Sequence, residues 1–366
     1  MMISDNFVNL TSGGESPFSK RIEYIDAMRG FTMILVVLSH VSGFGLGLVG
    51  ASGFTSYHAF LGQFRMPLFF FVSGFVLFKS GYDWNLANTF RFLRKKISVQ
   101  ILSPFLFLMA SVTIRGLDLL DSLIDPQKAG YWFTFTLFEY YLFYTLIHAL
   151  VDVFRLKGYT KDILLLTIGL GFYAVTVPTM VDKWFLSEDM CGFIGIAKLG
   201  YFFFFMLGTR IRKHFSLFEK ALDHSPLIMI CVIVFFGFNI MGSLVQAISS
   251  TGFHLFTSVS GLVIVIAFFR QEKDTFSKEH YVGRVFQYIG RRTLDIYLIH
   301  YFFVFSNMQA VLPNFAVYNS PFLEFLLSLV LTVFVISFSL IISRILRMNP
   351  FMAHFLFGKK IEKYIN

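Results

Sequence analysis

Few residues of this chain are suited to chemistry, and three of them lie close together near its start. The stretch RIEYIDAMRGFTMILVVLSHV, residues 21–41, carries Asp26, Arg29 and His40. As a helix it leaves Arg29 and His40 about 20° apart around the axis and about 16 Å apart along it. Asp26 precedes Arg29 by three residues and shares that face. A guanidinium steadied by a carboxylate can hold an anion, and an imidazole on the same stripe can move a proton. Further on, Arg91 and Arg94 are followed by Lys95 and Lys96, Glu139 sits within an apolar run, and Tyr297 and His300 share a helical face.

These residues are embedded in a chain that water alone does not accommodate. Its 366 residues are 56% hydrophobic and 14% charged, with 50 phenylalanines and a mean hydropathy of +0.67. That composition implies an all-α integral membrane protein. Apolar runs near 30–50, 64–79, 97–114, 131–151, 162–181, 192–209, 226–246, 252–269, 293–312 and 322–343 predict a bundle of about ten transmembrane helices. The polar tail, residues 1–20, has no signal-peptide pattern, and the run after it is long enough to span, so the first helix is expected to remain. Residues 21–366 then read as one transmembrane domain. Cys191 and Cys231 fit neither a disulfide framework nor a metal site, and no metal is expected.

The charge pattern orients the bundle. With both termini cytoplasmic, 26 of the 31 lysines and arginines fall on the inner side, leaving Arg65, Arg115, Lys128, Lys183 and Lys198 outside. The formal charge of +9 comes from short clusters at span ends, which argues for membrane orientation and against a nucleic-acid partner.

An ionisable group at mid-membrane is costly and faces a bundle interior or a wet cavity, so His40 and Glu139 are functional candidates. A neutral imidazole bonded to a neighbouring helix is the structural alternative. The lead-in RIEYIDAMRG with His40 beyond it, FRMPLFFFVSGFVLF at 64–78, RFLR at 91–94 and TLDIYLIH at 293–300 together resemble the membrane-bound acyltransferase-3 family, in that family's order. Members often carry Trp-Ser-Leu with a glutamate soon after it. Here YWFTFTLFEYY has Trp132 and Glu139 at a different spacing and no serine.

The resemblance implies a membrane O-acyltransferase moving an acyl group, usually acetyl, from cytoplasmic acyl-CoA to a hydroxyl of a cell-surface or lipid-linked glycan. Acetyl-CoA would be the co-substrate, and a bacterial plasma membrane the setting. Expected partners are membrane lipids, the glycan or glycolipid acceptor, and a separate glycan-export or transferase protein. On this reading His40 is the general base, or takes the acyl group itself as an acyl-imidazole. Glu139 partners His40 or an acceptor hydroxyl; Arg91 and Arg94 bind acyl-CoA phosphates, and Arg29 binds acyl-CoA at a phosphate or at the thioester carbonyl oxygen. Asp26, Tyr297 and His300 support them. Asp26 with Arg29 equally suits a structural pair at a helix end, and Asp295 is expected to pair with Arg291 or Arg292. Ser73, in the Ser-Gly step of the second span, belongs with helix packing. The alternative from another class is a transporter or flippase of a lipid-linked glycan, with His40 and Glu139 as a relay.

Overall fold

A computed structural model of the chain describes residues 21–45, 56–82, 84–156, 158–176, 188–245, 250–304 and 321–358. Among them there is no strand. The polar tail and the end of the expected ninth span lie outside the described residues.

Among the described residues, six helical segments are long and apolar enough to cross a bilayer: Glu23–Gly43, Phe60–Leu77, Leu86–Arg115, Asp189–Lys213, Gly252–Gln271 and Phe322–Leu346. A seventh arises if Phe215–Leu222 and Ser225–Asn239, bent by 78° at their junction, act as one span. The other expected spans meet different outcomes. Helices at Trp132–Val153 and Gly158–Thr176 occupy the ranges expected for the fourth and fifth. The first carries Glu139, His148 and Asp152 and the second Lys161 and Asp162, and neither is among the segments apolar enough to qualify. The ninth begins as Thr293–Ile299 and is described only to 304.

The element that carries the first candidates is also the most enclosed. Helix α1 (Glu23–His40) has 78% of its apolar window buried, against 28–59% in the other five segments. A helix wrapped on all sides by protein can carry polar groups at membrane depth, because they face protein or cavity and not lipid.

Two close crossings fix the bundle. A Cβ added at Gly30 of α1 would lie 2.0 Å from the carbonyl oxygen of Phe286 in the helix Tyr281–Arg291, and one at Gly290 would lie 2.0 Å from that of Asp26. The backbones touch, as small residues permit where no water drives helices together. Gly74 and Gly208 do the same for α2 (Ser56–Leu77) against the helix Phe202–Lys213. Beside Gly74, Ser73 donates its hydroxyl to Phe69 O at 2.8 Å, as a packing residue would.

Helix α3 (Leu86–Ile97) starts at Asn85, whose side chain accepts from Asn88 N, and has no buried residue. A π turn at Ser98–Leu102 joins it to α4 (Ser103–Arg115). At about 1.5 Å per residue this run is longer than the hydrocarbon layer is thick, so part of it extends beyond that layer.

Buried ion networks tie the remaining ends. Asp295 accepts from Arg347 Nε and Nη2, both at 2.7 Å, from Ser343, and from Arg292 at 3.2 Å. Arg292 is one of the two expected partners; Arg347 arrives from a turn 52 residues away that local spacing cannot indicate. Asp162 gathers Arg210 at 2.8 Å, Lys213 at 2.7 Å and His214 at 2.7 Å, locking the fifth expected span to the sixth.

Candidate functional site

The site centres on the last residue of α1. His40 Nδ1 lies 2.8 Å from Nε2 of His300, and the two rings stack at 5.1 Å and 10°. His300 is fully buried and His40 partly exposed, so His40 faces the open side of the pair. On the enclosed side, His300 Nδ1 is 2.9 Å from the carbonyl oxygen of Ile296.

That carbonyl determines where the protons sit. It can only accept, so His300 carries its hydrogen on Nδ1. Neutral His300 then accepts at Nε2, His40 donates from Nδ1, and the lone pair of neutral His40 is on Nε2. Tyr301 reaches the same nitrogen, its hydroxyl 3.4 Å away, while donating to Gly130 O at 2.9 Å. Because the hydroxyl has one hydrogen and the carbonyl is nearer, Tyr301 gives its proton to Gly130 O and not to His40 Nε2. Orientation, tautomer and access thus suit His40 to a base.

The turn before the fourth expected span braces this arrangement. Gly130 O also accepts from Tyr297 Oη at 2.9 Å, and that oxygen accepts from Phe133 N at 3.1 Å. Tyr131 Oη donates to Leu298 O at 3.0 Å. Gly130 has φ +104°, and a Cβ there would lie 2.3 Å from the Tyr301 ring, so both its dihedral and its neighbour require glycine. Tyr297 therefore supports the pair from behind and does not enter it.

At the other end of α1, Arg29 Nη1 lies 3.8 Å from Asp26 Oδ1 and Nη2 donates to Thr293 Oγ1 at 3.2 Å. Asp26 is buried and also pairs with Arg21. Arg29 keeps 31% of its side chain exposed on this enclosed helix, and Lys96 and Tyr141 lie within its electrostatic reach. Lys96 Nζ is 3.4 Å from Tyr141 Oη and 4.5 Å from the centre of its ring. Arg29, Lys96 and Tyr141 thus cluster at this end of α1, while Arg91 and Arg94 are exposed on α3.

Glu139 has a different neighbourhood. Its Oε2 is buried with no hydrogen-bond partner among the described residues and packs against Gly195, with Lys128 in electrostatic reach. The His40 contacts described above come from His300 and Tyr301, not from this carboxyl.

Three residues escaped the sequence reading. Lys96 stood there only as a flank of Arg91 and Arg94. His58 Nδ1 is 3.1 Å from Ser42 Oγ, just beyond His40. Arg65 lies within electrostatic reach of both His40 and His58. The signal for the last two was present: they stand seven residues apart on one face of α2, and an arginine inside a span is rare.

Comparison with known proteins bears on what this geometry serves. No curated protein and no solved structure gave a match. The family model described as an acyltransferase domain matches residues 22–344, which takes in α1 with its stripe, both histidines and every brace described above. The chain therefore belongs to the acyltransferase-3 family and is a multi-pass membrane acyltransferase.

Proposed function

We propose that the chain moves an acyl group, acetyl in the simplest case, from cytoplasmic acyl-CoA to a hydroxyl of a cell-envelope glycan or glycolipid. The setting is a bacterial plasma membrane, with both termini in the cytoplasm and residues 21–366 acting as one domain. The observation that carries this reading is the pair of openings on α1. Arg29 and His40 are the partly exposed polar residues of the Arg29–His40 stretch of a largely buried helix, with Thr32, Met33, Val36 and Val37 closed between them.

Arg29 and Lys96 form the inner binding surface, where two fixed cations suit the phosphates of CoA, and Arg91 and Arg94 draw the donor to it. The separation from Arg29 to His40, about 16 Å along the helix, matches the reach of a phosphopantetheine arm. His40 Nε2 takes the proton of the acceptor hydroxyl as its oxygen attacks the thioester carbonyl. The C–S bond then breaks, and His40 returns the proton to the departing thiolate. His300 holds the ring and its tautomer through both transfers. Membership of an acyltransferase family favours this chemistry over the transporter alternative.

The test is transfer of label from acetyl-CoA to surface glycan in membranes carrying wild type or His40→Ala at matched expression. The expected result is a loss of about 10²-fold or more in the variant while CoA is still bound. Equal labelling by both would remove His40 from the reaction.

A further inference from the structure

We propose that Arg65 is the electrophilic partner of His40, its guanidinium receiving the oxyanion that forms when the acyl donor's carbonyl is attacked. The inference rests on the acyl transfer proposed above and assigns a second catalytic side chain to it.

Arg65 sits in the third turn of α2, inside the apolar segment Phe60–Leu77. A guanidinium at that depth is expensive unless its charge is met. Among the described residues no carboxylate pairs with it; the groups within its electrostatic reach are Tyr201, Tyr301, His40 and His58. None of these is an anion at neutral pH. Its Nε is sealed from solvent and has no hydrogen-bond partner among the described residues, while the residue as a whole remains partly exposed. The cation therefore holds an unused donor and no neutralising carboxylate among the described residues, within electrostatic reach of the base and of the tyrosine that touches the base. Arg210, buried elsewhere in the bundle, is by contrast met by Asp162 at 2.8 Å.

Acyl transfer creates the missing charge for an instant. As the acceptor oxygen bonds to the carbonyl carbon and His40 takes its proton, the C=O electron pair moves onto oxygen. That oxyanion collapses when the C–S bond breaks, the thiolate takes the proton from His40, and the carbonyl reforms as an ester. A donor fixed where this charge develops, in a water-poor site and not neutralised beforehand by a carboxylate, acts on the transition state more than on the ground state. A guanidinium engaged to a resting carboxylate would forfeit most of that effect.

The experiment compares wild type with Arg65→Gln, Arg65→Met and Arg65→Lys, purified as full chains. Labelled acetyl-CoA is the donor and the surface glycan fraction labelled by wild type is the acceptor, with CoA binding and thermal unfolding measured on each protein. The expected result is a fall in kcat of about 10²–10³-fold in the Gln and Met variants, with both KM values within a few-fold and CoA binding retained. The Lys variant should recover part of the loss. A raised KM for the glycan with kcat near wild type would overturn the proposal and assign Arg65 to an anionic group of the acceptor. Wild-type turnover in the Gln or Met variant, or loss of folding in both, would overturn it in favour of a structural cation. Absence of transfer by wild type would overturn the acyl-CoA reading itself.

Discussion

His40 and His300 stand 260 residues apart in the chain and 2.8 Å apart in space, with only the first of them partly exposed. Their order is what gives the pair its use. The buried ring is tied to Ile296 O and sets the proton on the exposed one, leaving His40 Nε2 as the accepting atom.

Replacing His300 tests that order. His300→Phe keeps a ring in the pocket but supplies no acceptor for His40 Nδ1, so the tautomer is no longer set. We expect kcat to fall by about 10²-fold with CoA binding retained. Nitrogen-15 spectra of labelled histidine would show His40 losing its Nδ1–H preference in the variant; an unchanged tautomer ratio with unchanged rate would show that His300 only packs.

Gly130→Ala should prove more damaging than Tyr301→Phe. The added methyl would meet the Tyr301 ring at 2.3 Å and burden a positive φ, whereas the phenylalanine loses one hydroxyl and its bond to Gly130 O. The tyrosine variant should lose about 1 kcal/mol of stability. The glycine variant should lower both thermal stability and acyl transfer further, and comparison of the two melting curves checks the ranking.

Donor binding should divide the cations into two groups. Arg29→Gln and Lys96→Gln should each raise the KM for acyl-CoA by about 10-fold or more, because their charges are partly buried. Arg91→Gln and Arg94→Gln lie on exposed turns of α3, so their effects should be several-fold and fade with added salt. A titration of acetyl-CoA at two ionic strengths separates the groups.

Asp162→Asn addresses stability. The carboxylate is 7% exposed and gathers Arg210, Lys213 and His214. Removing its charge strands a buried guanidinium, at a cost of about 3–5 kcal/mol. The unfolding temperature in detergent should drop, while protein that remains folded keeps its kcat.

A fluorescent protein fused after Asn366 should fluoresce in bacterial cells, since both termini are proposed to be cytoplasmic. A periplasmic phosphatase fused at the same place should be inactive. The opposite pair of results would invert the orientation drawn from the lysines and arginines.

Much of this was legible before any coordinates. Composition implied membrane helices, and spacing put Asp26, Arg29 and His40 on one face of α1, where the structure has Asp26 and Arg29 paired and His40 open. The polar content of Trp132–Val153 and Gly158–Thr176 left the span count less legible, because buried spans need not be uniformly apolar.

By itself, then, the sequence determined the solvent of the fold, the family and the stripe on α1, because composition and periodicity act within one segment. Only the tertiary structure decided which groups meet. It seated His300 against His40, brought Lys96 and not Arg91 or Arg94 to Arg29, and set Arg65 beside the base without a carboxylate. Those meetings depend on how helices cross, and the crossings rest on backbone contacts such as Gly30 against Phe286. A helical period tells which way a side chain faces; it carries no information about which distant segment will be waiting there.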